Sequence, residues 1–169
     1  SDPDVEGFDL GAFLARNKRI SIKQAVDLLT TIADAFGYAH ERRLLHRDLK
    51  PPNIMLREDC SVLLIDFGLA KRVGSNTSNT AVGVLRGSPY YMSPEQVRGL
   101  PLDSRSDLYS LGVVFYEMLT GRKPYVGTTA MELMEQHVEG RRAPLPPEAV
   151  AAVAAVMALV LTPFNFTWM

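Results

Sequence analysis

The stretch that decides the reading is His46-Arg47-Asp48-Leu49-Lys50-Pro51-Pro52-Asn53, answered a short way on by Asp66-Phe67-Gly68. Between them lie two apolar runs, Asn53-Ile54-Met55-Leu56 and Val62-Leu63-Leu64-Ile65. A five-residue polar connector, Arg57-Glu58-Asp59-Cys60-Ser61, separates them, which is the signature of a small hairpin. A hairpin returns its ends close together, so Asp66 is expected near Asp48 and Asn53. Two carboxylates, one amide and the Lys50 ammonium in a small volume suit Mg²⁺ bound to phosphate, because that ion takes hard oxygen ligands and shares them with phosphate. The carboxylate left over can accept a proton from an attacking hydroxyl.

Working outward, Ser21–His40 is the clearest helix. Ile22, Val26, Leu29, Ile32 and Phe36 fall on one face, and Ser21 with Gln24 forms a capping box at its start. Gly11–Arg16 predicts a shorter helix before it, and Glu41–Lys50 a loop. Lys71–Ser88 is rich in Gly, Ser, Thr and Asn without any period, which predicts a long surface loop, of a length that is usually functional or disordered. Asp107–Thr120 predicts a helix stopped by Gly121. Ala130–Glu139 predicts another, capped by Thr129 with Glu132 and ended by Gly140. The expected fold is mainly α with a small β-hairpin.

Composition narrows the class. The chain has 169 residues, 47% apolar and 22% charged, with a formal net charge of -1. It is long enough for one core. The balanced charge gives no footprint for nucleic acid. Cys60 is the lone cysteine, so no intrachain disulfide framework exists, and a reducing cytoplasm is the expected location. The acidic start Ser1-Asp2-Pro3-Asp4 does not read as a signal peptide. Ala149–Leu161 is thirteen consecutive apolar residues, short of the roughly 18 that a membrane span requires. It reads as a core helix, with a truncated membrane anchor as the other reading. Arg16, Lys18, Arg19 and Lys23 read as a solvated face. His40 and His137 read as core or surface histidines, since neither has a carboxylate or cysteine at metal-ligand spacing.

HRDLKPPN followed by DFG resembles the catalytic and magnesium-binding loops of protein kinases. Asp66 follows Asp48 by 18 positions, and Glu95 follows Asp66 by 29. Met92-Ser93-Pro94-Glu95 is similar to the A-P-E motif, with Ser for Ala, and Ser106–Gly112 is similar to the start of the buried central helix. The resemblance implies ATP and Mg²⁺ as cofactors and a protein substrate bearing Ser or Thr. It implies that Asp48 takes the proton of the substrate hydroxyl and that Lys50 neutralises the transferring phosphoryl group. Asn53 and Asp66 would hold Mg²⁺, Met55 would floor the adenine, and Asp9 would reach the ribose. Asp107 would bond the backbone of the His46-Arg47 turn, and His46 and Phe67 would stack. Lys50 in Asp-Leu-Lys-Pro is the Ser/Thr-kinase form. Ser88 keeps a hydroxyl that the family uses to touch Asp48 and Lys50. Arg47 beside Asp48 implies activation by a phosphate on the loop, with Thr80 first and Thr77 and Ser78 next.

The sequence also departs from the family. It holds no G-x-G-x-x-G-x-V and no V-A-I-K strand, and Val5-Glu6-Gly7 resembles the end of the family's hinge. The expectation is therefore a partial kinase domain over residues 1–169, the C-lobe with the N-lobe absent. A separate chain supplying that lobe is a possible partner. Residues 149–169 are unlike the family and resemble a shifted frame or abrupt gene end, and Glu95 is expected to lack its arginine. The alternative is a catalytically inactive kinase remnant serving as an interaction module. A small-molecule phosphotransferase of the same fold is disfavoured by Asp-Leu-Lys-Pro. Gly112–Tyr125 resembles bacterial members.

Overall fold

The structure is a computed structural model and describes residues 7–17, 20–57, 59, 61–67, 88–147, 149–151 and 154. Thr77, Ser78 and Thr80, together with Gly68, Cys60, Lys18, Arg19, Val5 and Glu6, lie outside the described residues, as do most of the 71–88 loop and of the 149–169 tail. Residues 149–151 are helical, and Ala149 is buried.

Elements follow in the order β1 (Gly7–Asp9), α1 (Leu10–Asn17), α2 (Ile22–Glu41), a 3-10 turn (Pro51–Asn53), β2 (Ile54–Arg57), β3 (Val62–Leu64), α3 (Pro94–Val97), α4 (Ser104–Thr120) and α5 (Ala130–Glu139). The expected hairpin is present as β2 and β3, with Met55 opposite Leu63. It is part of a larger sheet, because β1 adds antiparallel to β2 and gives the order β1-β2-β3. Three residues carry no alternation to announce a strand. What permits β1 is Gly7, where a Cβ would sit 2.5 Å from the Leu56 carbonyl oxygen.

The helices start where their caps dictate. Ser21 and Gln24 form the expected capping box on α2. Thr129 accepts from the Glu132 N–H, and Gly140 ends α5 in the left-handed region at φ 68°. α4 begins three residues earlier than its apolar pattern indicates, because the Asp103 carboxylate accepts from the Arg105 N–H at 2.8 Å. This places Asp107 in the first turn, facing inward. Ala25, Leu29, Ile32 and Phe36 of α2 share one core with Leu111, Val114, Phe115 and Met118 of α4. Each large side chain buried there contributes about 2 kcal/mol of apolar transfer. The Ile20 N–H bonds the Met118 carbonyl at 3.1 Å and ties the start of α2 to α4. This pair is the platform on which the His46–Asn53 loop rests.

Candidate functional site

Asp107 organises the loop. It is only 1% exposed, yet it accepts three hydrogen bonds. Oδ2 takes the His46 N–H at 2.9 Å and pairs with His40 Nε2 at 2.9 Å, while Oδ1 takes the Arg47 N–H at 2.8 Å. His40 is thus an Asp107 partner, stacked on Phe36 at 5.3 Å. Arg47 is held in the left-handed region at φ 66°, and its carbonyl accepts from Gln96 Nε2 at 2.6 Å. The next residue is Asp48.

Asp48 is half-buried and bonded on both oxygens. Lys50 Nζ donates to Oδ2 at 2.8 Å, and the Ser88 N–H approaches Oδ1 at 3.3 Å. The contact with Ser88 therefore runs through the backbone. Asn53, buried at 4% exposure, donates from Nδ2 to the Asp48 carbonyl at 2.8 Å. That bond fixes the amide: Oδ1 turns the other way, as a hard oxygen donor.

The hairpin then closes the circle. The Ile65 N–H bonds the Asn53 carbonyl at 3.0 Å, and His46 Nε2–H bonds the Ile65 carbonyl at 3.0 Å. Asp66 follows, exposed, at φ 53°. Phe67 lies on His46 with ring centroids 4.8 Å apart. Burial pushes the His46 imidazole below its ordinary pKa, while the Ile65 carbonyl and the charges of Asp107, Asp48 and Asp66 oppose that shift. Both Asp48 and Asp66 are thus within electrostatic reach of one ring. The Asn53 amide oxygen and the exposed Asp66 carboxylate are both hard oxygen donors, the ligand chemistry that Mg²⁺ takes. No group of three or more His, Cys, Asp or Glu forms a metal cage among the described residues.

Met55 is half-buried on β2, and its cross-strand partner is Asp9. The sheet thus brings these two residues into one row, although they are far apart in sequence. One Asp9 oxygen is engaged, since Oδ1 accepts the Ala12 N–H at 2.8 Å and caps α1.

Glu95 does not stand without a partner. It is half-buried and accepts from Ser106 Oγ at 2.5 Å. Sequence reasoning missed Gln96, Tyr91, Ser110 and Glu117. Gln96 shares a capping box with Ser93, an S-x-x-Q signal visible in the sequence, but its bond to Arg47 is not. Tyr91 donates to Glu117 Oε2 at 2.6 Å, and its carbonyl accepts from Ser110 Oγ at 2.7 Å. Burial, with the Glu117 carboxylate as hydrogen-bond partner and neighbouring charge, pushes the Tyr91 phenol well above its ordinary range. These contacts seat the Ser88–Met92 segment against Asp48. Arg16 and Lys23 are solvent-exposed, as their spacing predicts.

The family description "Protein kinase domain" matches residues 4–152. A probable serine/threonine-protein kinase of Clostridium acetobutylicum is 39% identical over 140 residues, 83% of this chain and 21% of that protein. The serine/threonine-protein kinase PknB of Mycobacterium leprae is 38% identical over 143 residues, covering 85% and 23% respectively. PknA of Mycobacterium tuberculosis is 36% identical over 157 residues, 93% and 36%. A kinase-like fold with this loop, hairpin and helix order defines the class. The chain belongs to the protein kinase domain family. It spans about a fifth to a third of the length of these relatives. No helix among the described residues is long and apolar enough to cross a membrane.

Proposed function

We propose that the chain is the C-terminal catalytic lobe of a protein Ser/Thr kinase, moving the γ-phosphoryl group of ATP to a substrate hydroxyl. The observation that carries this reading is the half-buried Asp48 carboxylate, held between Lys50 Nζ and the Ser88 N–H. A Ser or Thr hydroxyl brought to Asp48 gives its proton to that carboxylate as its oxygen attacks the γ-phosphorus. The bond from that phosphorus to the bridging oxygen breaks, and ADP leaves. Lys50 offsets the charge on the transferring group. Asn53 and Asp66 would hold Mg²⁺, which when bound neutralises phosphate charge and fixes phosphate orientation. Met55 would floor the adenine, and Asp9 would offer its uncapped oxygen to the ribose.

On this reading residues 1–169 form a partial kinase domain, a C-lobe whose residues 149–169 are atypical, acting in the cytoplasm on protein substrates. The groups that cover the α- and β-phosphates come from polypeptide outside these residues, upstream or on another chain. Each missing electrostatic stabiliser of that kind costs about 10² to 10³ in rate. The test is transfer from γ-labelled ATP to a Ser/Thr peptide by the chain joined to a kinase N-lobe. Asp48→Asn is expected to lower the rate by at least about 10³, since it removes both base and orientation. Equal rates for the two forms would refute the reading.

A further inference from the structure

Asp48 is framed by two side-chain amides, and only one of them belongs to its own loop. Asn53 Nδ2 donates to the Asp48 carbonyl at 2.8 Å. Gln96 Nε2, from α3, donates to the Arg47 carbonyl at 2.6 Å across 49 positions of sequence. A peptide unit is planar, so the Arg47 carbonyl and the Asp48 N–H turn together. The peptide units on both sides of Asp48 are therefore each held by an amide. The proposed chemistry assigns a task to Asn53 and none to Gln96.

The other end of the Gln96 side chain shows why an amide stands there. Its Oε1 accepts the Ser93 N–H at 2.9 Å, and the Gln96 N–H approaches Ser93 Oγ at 3.3 Å, the two halves of a capping box. Glutamate serves such a box as well as glutamine does, and the start of a helix favours negative charge. What a carboxylate lacks is a donor. The donor is spent on the Arg47 carbonyl, so the requirement for an amide comes from the Asp48 loop and not from the helix. A flipped amide would set oxygen against that carbonyl and NH₂ against the Ser93 N–H, losing both bonds.

α3 gives this bond a firm base. Glu95, next to Gln96, accepts from Ser106 Oγ of α4 at 2.5 Å, and Ser110 Oγ of α4 donates to the Tyr91 carbonyl at 2.7 Å. The same α4 carries Asp107, whose Oδ1 takes the Arg47 N–H at 2.8 Å. Arg47 is thus gripped at both polar groups of its backbone from one helix, directly at the N–H and through α3 at the carbonyl. Its φ of 66° is a conformation that a non-glycine residue keeps only while its surroundings hold it. Releasing the carbonyl frees the Arg47–Asp48 peptide to rotate. Asp48 then moves relative to Lys50 Nζ and the Ser88 N–H, which meet its carboxylate.

We infer that Gln96 is a positioning residue for Asp48, acting through the Arg47 carbonyl. Its consequence for catalysis rests on the phosphoryl-transfer reading of Asp48, while its grip on the loop is testable without activity. Gln96→Glu keeps the side-chain length and the acceptor for Ser93, and replaces the donor by an oxygen facing a carbonyl. Ser93→Ala is the control, since it weakens the same capping box and leaves the amide on Arg47. Hydrogen exchange is followed in the 169-residue chain at the Arg47 and Asn53 amides, which bond Asp107 and the Lys50 carbonyl, and at Ile20, which bonds Met118. Gln96→Glu is expected to speed the first two by about fivefold to tenfold, the scale of one lost hydrogen bond, with Ile20 unchanged. Unchanged Arg47 and Asn53 amides would overturn the inference. Equal speeding of all three amides would do the same, and so would an effect as large in Ser93→Ala.

With an N-lobe joined, Gln96→Glu is expected to lower kcat about tenfold to a hundredfold with KM for ATP unchanged, the cost of a small misplacement of a catalytic group. In the Asp48→Asn background the same change is expected to cost less than about twofold, because the carboxylate it positions is gone. An equal loss in both backgrounds would mean that Gln96 acts through the fold alone, against the inference. If Gln96→Glu unfolds the chain, Gln96→Met carries both measurements, since it removes the donor without placing a charge against the carbonyl. A chain that transfers no phosphoryl group would sink the functional reading and leave the exchange result to decide this one.

Discussion

Replacing Asp107 with asparagine removes one charge and exchanges one oxygen for an NH₂ group, with almost no change in volume. The three donors around it leave that amide no comfortable orientation. With its oxygen in the place of Oδ2, it keeps the bonds to the His46 N–H and to His40, but turns NH₂ toward the Arg47 N–H. Flipped, it keeps Arg47 and turns NH₂ toward His46 and His40. The first orientation loses less. It forfeits one hydrogen bond to a charged acceptor, about 1.5–3 kcal/mol, and the two it keeps are no longer charge-assisted. It also frees the Arg47 N–H, one of the bonds that pin that residue's left-handed backbone. With the two kept bonds weakened as well, the loss is about 3–5 kcal/mol, the range for breaking a buried charged network.

Domains have about 5–15 kcal/mol in all, so the variant sits near the edge of folding. Urea unfolding followed by circular dichroism reads this directly. With a slope of about 2 kcal/mol per molar, the midpoint falls by roughly 2 M. His40→Gln loses one bond of the three and is expected to cost about 1 kcal/mol. The two changes share Oδ2, so the double variant should fall short of their sum. A loss below about 1 kcal/mol for Asp107→Asn would refute the claim that its carboxylate holds the loop.

Acidification is expected to weaken the fold before the carboxylates titrate. Burial lowers the pKa of both His46 and His137, so the folded state favours the neutral rings. Their contribution is complete above the ordinary value of about 6.5 and is lost as pH falls from there through the folded values. The urea midpoint should be lower at pH 5 than at pH 7.5, and an equal or higher midpoint at pH 5 would contradict this. Two glycine substitutions should move stability in opposite directions. Gly7→Ala forces a methyl against the Leu56 carbonyl and should detach β1, whereas Gly112→Ala meets nothing within 4 Å in an exposed turn of α4 and should gain about 0.5–1 kcal/mol. Thermal unfolding of the two variants checks both signs.

Local rules carried much of the fold. The capping box of α2 and the Thr129 cap of α5 are short-range, and the sequence spells them out. The return of Ile65 to Asn53 was legible because hairpin closure is also local: a five-residue connector leaves the returning strand few places to go. What was not legible is tertiary. His40 and Asp107 meet across 67 positions, and Gln96 reaches Arg47 across 49, with no pattern in either neighbourhood to announce it. Asp9 capping α1 is local, yet the pairing that sets Asp9 opposite Met55 depends on β1, a strand too short to carry a period. The partner of Glu95 was hidden for the same reason. A search for arginines could not see that a serine on α4 would supply the bond.

Among the described residues, three non-glycine residues adopt left-handed backbone: Arg43, Arg47 and Asp66. Arg43 is ordinary in role, since it ends α2 and its N–H caps the His40 carbonyl at 2.8 Å. The other two end no helix, and both belong to the candidate site. Arg47 is pinned at its N–H by Asp107 and at its carbonyl by Gln96, one residue before Asp48. Asp66 is pinned through its neighbours: Ile65 is bonded at both its N–H and its carbonyl, and Phe67 lies against His46. Strained backbone persists only where its surroundings over-determine it. Here they do so twice, and His46 joins the two cases, because its N–H is held by Asp107 while its ring holds Ile65. The two carboxylates are therefore not free to choose their positions independently. A change that releases His46 should relax Arg47 and Asp66 together, and with them the spacing between the proposed base and the proposed metal ligand.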